Sequence, residues 1–289
     1  MHVENGVLTA ALTIAGSDSG GNAGVQADIR AFHVFGLHAC TVFCALTAQN
    51  PSGVSAVAGQ TPEFVEAQLD AVLPAYAIKA AKTGMLADPG VVRAVAAKMK
   101  ARPDVPLVVD PVMVATSGAR LISESAVAAV RDVLLPVAAV ATPNLPEAET
   151  LCGRALRSLD DMAAAARAIR GAAGCAVLVK GGHRRGGEAE DVLACAEGEF
   201  LYTTPVVENP ASVHGTGCSL SAAIAASLAL GRALPDAVRE AKAYVYEAIR
   251  TSLPVGPAAA VLGTPESEGL LNHPCVSVSR LGQSAGRAV

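Results

Sequence analysis

Residues 8–32 read LTAALTIAGSDSGGNAGVQADIRAF, and this stretch carries the pattern of a strand, a turn and a helix. The apolar run Leu8–Ala15 lacks regular polar alternation, which is typical of a strand buried on both faces of a parallel sheet. A glycine-rich segment follows, and Val25, Ile29 and Phe32 then fall on one face of a helix. The stretch therefore predicts a strand–turn–helix unit, the building block of α/β folds.

The rest of the chain repeats this alternation. Helix N-caps are predicted at Thr61 and Asp88, each followed by proline, and at Ser158, which forms a capping box with Asp161. A late hairpin is predicted around Gly198. We expect one doubly wound α/β domain, in which ligands bind at the carboxyl ends of the strands. The other predicted buried strands are Cys40–Ala48, Val105–Val109, Val137–Ala141 and Ala176–Val179.

Composition excludes several classes of protein. Hydrophobic residues make up 52% and charged residues 17%, so the chain is globular. The net charge is −4 without a Lys/Arg block, and no apolar stretch reaches the roughly 18 residues of a membrane helix, so neither nucleic acid nor a membrane is an expected partner. The seven cysteines lack metal-type spacing, which indicates a reduced, cytoplasmic protein. No Ser-His-Asp order with a Gly-x-Ser-x-Gly elbow is visible, which argues against a hydrolase.

The run His214–Cys218, HGTGC, precedes a helix of small and apolar residues. Gly215 and Gly217 let backbone N–H groups converge, and the helix start adds partial positive charge, so the run predicts a cradle for a phosphoryl group. The thiol pKa of Cys218 is expected to fall at this helix start, which would let the thiolate accept a proton from a substrate hydroxyl. A glycine-rich helix cap with a buried cysteine is the alternative.

The glycine-rich turn from Gly16 to Gly24 matches neither the Rossmann fingerprint nor a Walker P-loop. Asn22 is expected to occupy a left-handed position in it. Asp28 lies one turn into the following helix, where the alternative role is that of a solvated acid. Gln49 ends a strand and offers a donor and an acceptor to a heteroaromatic ring, with a loop-capping amide as the alternative.

Two acidic positions at strand ends suit Mg²⁺, which takes one or two carboxylates together with phosphate oxygens. They are Asp110 and the Asn144–Glu147 segment, although either acid could instead be a helix cap or a first-turn charge. Lys180, at another strand end, could neutralise nucleotide phosphates. His183 and His214 are either supporting groups or loop histidines.

Taken together, seven runs resemble the hydroxymethylpyrimidine/phosphomethylpyrimidine kinases of thiamine biosynthesis, a branch of the ribokinase-like superfamily. The resemblance implies a single three-layer domain with a mostly parallel central sheet, and usually a homodimer. It also implies ATP-dependent phosphorylation of 4-amino-5-hydroxymethyl-2-methylpyrimidine and then of its monophosphate, with Mg²⁺. The runs, in the family's order, are Ala15–Asp28, Ala45–Asn50, Lys82–Leu86, Val109–Met113, Thr142–Glu147, Val179–His183 and His214–Cys218.

The resemblance also assigns roles by position. Pyrimidine contacts fall on Gly16, Asp28, Gln49 and Met85, with Val112 as an apolar wall. The anion hole falls on Gly215, Thr216 and Gly217, and Cys218 stands where most ribokinase relatives place a catalytic Asp. The metal and nucleotide roles fall on Asp110, Glu147, Asn144 and Lys180.

Three stretches depart from the family pattern: Val207–Val213, Asn22, and the chain beyond Ile249. We expect the kinase domain to span residues 1–253, with a partly disordered or loosely packed extension over residues 254–289. Pyridoxal kinase is the close alternative, since both substrates carry a hydroxymethyl group on a heteroaromatic ring. A non-catalytic pyrimidine-binding protein is a second alternative, and an NAD-dependent oxidoreductase is disfavoured by the broken fingerprint.

Overall fold

In the computed structural model, which describes residues 1–113, 123–183 and 187–282, a ten-stranded sheet forms the centre of the protein. Helices cover both faces of this sheet. The strands of the described residues are β1 Val3–Glu4, β2 Val7–Leu8, β3 Ala10–Asp18, β4 His38–Asn50, β5 Gly53–Gly59, β6 Ile78–Thr83, β7 Leu107–Val109, β8 Val140–Ala141, β9 Ala176–His183, β10 Glu188–Cys195, β11 Gly198–Pro205, β12 Leu253–Gly256, β13 Ala259–Val261 and β14 Ser277–Arg280. The pairs β1–β2 and β12–β13 form two small sheets of their own. The helices are α1 Gly24–Val34, α2 Pro62–Val72, α3 Pro89–Lys100, α4 Glu124–Ala129, α5 Leu145–Cys152, α6 Leu159–Ala173, α7 Thr216–Ala229 and α8 Leu234–Arg250.

The order of strands across the sheet is β14-β11-β10-β9-β8-β7-β6-β3-β4-β5. The central strands from β9 to β4 pair in parallel. The edge strands β5, β10, β11 and β14 are antiparallel to their neighbours. The fold is therefore the expected α/β arrangement with a mostly parallel sheet, and the carboxyl ends of its parallel strands share one edge.

Each face of the sheet has its own hydrophobic core. On one face, α2, α3 and α6 pack on the sheet, with Val65, Val95 and Met162 among the buried residues. On the other, α1, α7 and α8 pack together, with Phe32 and Ile224 in the interior. Helix α7 is buried along most of its length, which explains its run of alanines: small side chains let it approach the sheet closely.

The predicted caps are confirmed. Thr61, Asp88 and Ser158 each accept a backbone N–H of the helix that follows, and Ser158 forms the capping box with Asp161. The hairpin around Gly198 is also confirmed, as the pair β10 and β11. The predicted strand at Val137–Ala141 is shorter than expected, because residues Leu135–Val137 form a 3-10 turn that contains Pro136.

The C-terminal region contributes to the fold as far as residue 282. Strand β14 pairs with β11 at the edge of the main sheet, and Leu262, Leu270 and Val276 are buried. The partly disordered or loosely packed extension expected over residues 254–289 includes residues 283–289, which lie outside the described part. Within the described ranges, the helices are all too short or too polar to cross a lipid bilayer.

Candidate active site

A cavity of about 210 Å³ opens at the carboxyl ends of β3, β4 and β6, beside the starts of α1 and α7. Pockets for drug-sized ligands measure roughly 300–1,000 Å³, so this cavity suits a ligand the size of a single substituted ring. The predicted site residues on its wall are Gly16, Gln49, Met85, Val112 and Cys218.

The glycine-rich turn is organised by a side chain that the sequence analysis did not single out. The buried Asp18 carboxylate accepts backbone N–H bonds from Gly20, Asn22 and Ala23 at 2.8–2.9 Å. Burial alone would raise the pKa of Asp18, but the nearby His214 imidazole and the hydrogen bonds from these N–H groups bring the pKa below its ordinary value. Asp18 is therefore an ionised anchor on the cavity wall.

The left-handed residues of this turn are glycines, so the expectation for Asn22 is wrong. Gly21 has φ +76° and Gly24 has φ +57°, whereas Asn22 is absent from the left-handed residues. A Cβ on Gly24 would lie 2.3 Å from the carbonyl oxygen of Gly16, so α1 must start with glycine here. Asn22 instead contributes its carbonyl oxygen to the packing of the site.

The apolar wall of the cavity is close-packed. A Cβ on Gly16 would lie 2.7 Å from Met85 Cε, so the sulfur side chain occupies the space that a larger residue would fill. Val112 is partly exposed beside it. The backbone of Gly16 and the side chains of Met85 and Val112 therefore form one apolar surface next to the Gln49 amide.

The start of α7 has the form of an anion cradle. Gly215 is the N-cap with φ +84°, and no side chain caps the helix, so the first N–H groups of the helix are available to a ligand. A Cβ on Gly215 would lie 1.9 Å from the carbonyl oxygen of Asn22, which brings the cradle into direct contact with the glycine-rich turn. A Cβ on Gly217 would lie 3.4 Å from Lys180 Nζ, so an ammonium group stands beside the first turn of the helix.

Cys218 lines the cavity in the first turn of α7, as predicted, but its expected acidity is corrected. Burial raises the pKa of the Cys218 thiol above its ordinary value. The positive charge of Lys82 and the backbone N–H of Gly24 act in the opposite direction without overcoming burial. Because the low-dielectric surroundings disfavour a thiolate more than the helix start favours it, the resting group is a neutral thiol.

Asp28 is not solvated and does not line the cavity. Its carboxylate is completely buried, forms an ion pair with Lys82 and accepts a hydrogen bond from the Thr13 hydroxyl. Lys82 Nζ lies 3.0 Å from the position that a Cβ would take on Gly84, a residue of the cavity wall. The pair therefore lies directly behind the wall, and a substrate contact by Asp28 stays a prediction.

A second polar cluster stands beside the cradle, at the ends of β7 and β9. Asp110 Oδ1 lies 2.8 Å from Lys180 Nζ and accepts from the Thr142 hydroxyl at 3.3 Å. Asp110 Oδ2 accepts from the Ser221 hydroxyl at 3.2 Å. This network joins the central strands to α7, and it brings together Asp110 and Lys180, which the sequence offered as separate candidates.

Glu147 and Asn144 form a capping box at the start of α5, which was the alternative role considered for them. Glu147 is nevertheless buried, and its carboxylate also accepts the N–H of Met113 at 3.4 Å. Burial raises the pKa of Glu147 to about 7, Lys180 opposes this shift and Asp110 adds to it. The box thus places an easily protonated carboxyl beside the Asp110–Lys180 pair.

The donor set around Asp110 fits Mg²⁺. The residues offer two carboxylates and hydroxyl oxygens, with no sulfur or imidazole ligand, and Mg²⁺ uses one or two carboxylates plus substrate phosphates. Among the described residues, no group of three or more His, Cys, Asp or Glu side chains stands in a metal-binding arrangement. A cation held here would depend on the phosphates of a nucleotide for its remaining ligands.

His214 is another cavity residue, a role that the sequence analysis left open against a loop histidine. Its Nε2 atom lies 3.3 Å from Gln49 Nε2 and 3.7 Å from Asp18 Oδ2. Asp18 and His214 each belong to a run of sequence that carries the family resemblance, so each could have been chosen as a candidate site residue. Nothing in either run indicates that the two side chains lie close together. The backbone of His183 ends β9, and this histidine is not assigned a role.

Comparisons with known proteins agree with this geometry. A family model described as phosphomethylpyrimidine kinase matches residues 18–262. The hydroxymethylpyrimidine/phosphomethylpyrimidine kinase of Rhizobium meliloti is 48% identical over 241 residues, which cover 83% of this chain and 90% of the relative.

Solved structures extend the likeness to the whole fold. Pyridoxal kinase from Staphylococcus aureus in complex with AMP-PCP and pyridoxal has a TM-score of 0.82 at 31% identity and covers 96% of this chain and 100% of its own. Phosphomethylpyrimidine kinase from Clostridium difficile has a TM-score of 0.73 at 37% identity, with 84% and 99% covered. The cradle, the ring-sized cavity and these matches lead to one conclusion: the chain belongs to the phosphomethylpyrimidine kinase family of ribokinase-like enzymes.

Proposed function

We propose that the protein transfers the γ-phosphoryl group of ATP to the hydroxymethyl oxygen of 4-amino-5-hydroxymethyl-2-methylpyrimidine, and then phosphorylates the monophosphate. The observation that carries this proposal is that Cys218, in the first turn of α7, and Gln49 line one ring-sized cavity beside the open start of that helix. Ring recognition and anion stabilisation thus stand side by side, as a small-molecule kinase requires.

In the proposed reaction, the substrate hydroxyl oxygen attacks the γ-phosphorus while the bond to the β–γ bridging oxygen breaks, so that ADP leaves. The N–H groups of Gly215, Thr216 and Gly217 stabilise the charge on the transferring group. Lys180 neutralises phosphate charge next to the same helix turn. When bound by Asp110 and Glu147, Mg²⁺ would supply further charge neutralisation.

The hydroxyl proton needs an acceptor, and Cys218 is the proposed one. Since burial raises its pKa, the thiolate is the minor form near neutral pH and must form in the presence of substrate. A loose phosphoryl-transfer transition state places little demand on early deprotonation, so a weakly populated base is compatible with turnover.

A second candidate, pyridoxal kinase, is favoured by one observation: the Staphylococcus aureus pyridoxal kinase covers more of this chain than the Clostridium difficile phosphomethylpyrimidine kinase. Sequence identity points the other way, because the curated kinase from Rhizobium meliloti reaches 48%. The pyrimidine is therefore the first choice.

The test measures ADP release with ATP, Mg²⁺ and either the hydroxymethylpyrimidine or pyridoxal. We expect a higher kcat/KM for the pyrimidine. Preference for pyridoxal would overturn the first choice, and pyrimidine binding without ADP release would support a non-catalytic binding protein. Repeating the assay with the monophosphate decides whether the second phosphorylation occurs.

We also propose a homodimer, which the resemblance implies, in the cytoplasm, which the cysteine pattern indicates. The exposed apolar residues Leu46, 51% exposed, and Val57, 47% exposed, on the edge pair β4 and β5 support self-association. Light scattering coupled to gel filtration tests it, and a monomer at micromolar concentration would contradict it.

A further inference from the structure

Gln49 and His214 lie 165 residues apart in the chain and contact each other at the cavity wall. Gln49 Nε2 lies 3.3 Å from His214 Nε2. An amide nitrogen only donates, so the imidazole nitrogen that faces it must offer a lone pair. This contact therefore requires a neutral His214 with its proton on Nδ1.

The rest of Gln49 is also held in place. Its Oε1 atom lies 3.2 Å from the Thr47 hydroxyl, whose single proton is shared with the carbonyl oxygen of Ser17 at 2.8 Å. Its backbone N–H donates to Ser19 Oγ at 2.8 Å, and its backbone carbonyl oxygen accepts from the same hydroxyl at 2.8 Å. With one N–H directed to His214 and one lone pair to Thr47, the amide keeps one N–H and one lone pair for a ligand.

A planar amide that offers one donor and one acceptor complements a ring in which a nitrogen acceptor stands next to an exocyclic amino group. A 4-aminopyrimidine has this edge. The ring nitrogen of pyridoxal lies between a methyl-bearing carbon and a C–H, so pyridoxal lacks a neighbouring donor. An amide fixed in this orientation favours the pyrimidine, whereas an amide free to rotate by 180° loses the preference.

A competing partner for the imidazole stands on the other side. Asp18 Oδ2 lies 3.7 Å from His214 Nε2, and its pKa is held below the ordinary value. Cys218 is the other titratable side chain on the described cavity wall, and Arg30 of α1 donates to the carbonyl oxygen of Asn22 behind the turn. A protonated His214 would donate to Asp18 and repel the Gln49 N–H group.

We propose that His214 is the positioning residue that determines ring specificity, because its unprotonated Nε2 holds the Gln49 amide in the orientation that matches an aminopyrimidine. This inference rests on the proposed function for the identity of the ring. His214 acts through Gln49 and takes no part in the phosphoryl transfer.

The kinetic test compares His214→Leu with His33→Leu, a matched change at an exposed histidine of α1. In His214→Leu, the KM for the hydroxymethylpyrimidine should rise about tenfold, the effect of one lost hydrogen bond. The kcat, the KM for ATP and the kcat/KM for pyridoxal should each change less than about threefold. His33→Leu should match the wild type. A parallel loss of kcat/KM for both substrates, or a raised KM for ATP, would overturn the proposal.

The same contact is tested without activity by ¹⁵N NMR of the imidazoles in the full-length protein. At neutral pH we expect His214 to carry its proton on Nδ1, and we expect its Nε2 shift to move in Gln49→Leu. An Nε2–H tautomer in the wild type would contradict the proposal, even if the kinetic results agreed with it. If the wild type phosphorylates neither substrate, the proposed function fails, and the NMR result alone decides whether His214 holds the amide.

Discussion

Lys82 Nζ lies 2.8 and 2.9 Å from the two carboxylate oxygens of Asp28, and neither side chain reaches solvent. This pair joins β6 to α1 directly behind the cavity wall. Burial raises the pKa of Asp28, and the Lys82 charge opposes the shift. Each charge is therefore tolerated in the interior because the other is present.

Removing one partner of this pair should cost more than removing both. Lys82→Met leaves a buried carboxylate without compensation and should lower the free energy of unfolding by about 3–5 kcal/mol. The double variant Asp28→Asn/Lys82→Met should recover part of that loss. Urea unfolding at pH 7 gives the free energy of unfolding of the two single variants, Asp28→Asn and Lys82→Met, and of the double variant. If the effects of the single variants simply added up in the double variant, the coupling would be contradicted.

Cys218→Ala should reduce kcat by about 10²-fold, the usual contribution of a general base, while the KM for the pyrimidine stays nearly constant. The reason is that the thiol is the proposed proton acceptor at the cradle, while the ring contacts lie elsewhere on the wall. Steady-state kinetics at saturating ATP measure the effect. Unchanged turnover would mean that the backbone cradle alone carries the step.

The raised pKa of Cys218 predicts slow alkylation near neutral pH. Burial disfavours the thiolate, which is the reactive form, so the rate with iodoacetamide should keep rising with pH beyond about 8.5, the ordinary cysteine pKa. Peptide mass spectrometry resolves Cys218 from the other cysteines. A rate that levels off below that pH would show an acidic thiol instead.

Gly215→Ala and Gly217→Ala form a matched pair in the cradle. At Gly215 a methyl group meets the Asn22 carbonyl oxygen at 1.9 Å and φ is +84°, so we expect a loss of about 1–3 kcal/mol in stability together with lost activity. At Gly217 the nearest atom is Lys180 Nζ at 3.4 Å, so the fold should tolerate alanine and the KM for ATP should rise. Thermal unfolding and kinetics separate the two, and equal stabilities would refute the steric argument.

Glu147 predicts a pH dependence of stability. Its pKa rises from 4.5 to about 7 on folding, so the stability that it contributes is complete below about pH 4.5 and is lost as the pH rises through about 7. Glu147→Gln cannot ionise and so avoids this loss. The stability of the variant relative to the wild type should therefore rise between pH 4.5 and 8. Denaturant unfolding across this range measures the difference, and the opposite slope would show that Glu147 is stabilised as a carboxylate.

The sequence predicted the parallel strands and the helix caps well because those signals are local. Strand β6 was missed as an apolar run because Lys79 and Lys82 interrupt it, and the charge of Lys82 is buried only through a partner on another element. Asp28 held a usable clue: it lies between Val25 and Phe32 on the buried face of α1. A carboxylate on that buried face needs a cationic partner, but the partner, Lys82, lies 54 residues away in the sequence.

The site residues were found as separate runs, and their distances were not predictable from spacing. Whether Asn144 and Glu147 cap a helix or line a metal site was undecided because one geometry serves both roles. The acidity of Cys218 was wrongly predicted because the helix start is visible in the sequence, whereas the burial that outweighs it depends on α1 and β6. In each of these cases, the role or pKa of the residue depends on tertiary contacts that the local sequence does not show.

The contact of Gly215 with the Asn22 carbonyl oxygen has a consequence for folding during translation. Its two sides lie far apart in the chain, and contacts of large sequence separation are the slow ones to form. On the ribosome, the glycine-rich turn emerges long before α7 exists. We therefore expect a nascent chain to bind no substrate until α7 has been synthesised and has packed against the glycine-rich turn. Ligand binding would then indicate that the domain is completely folded.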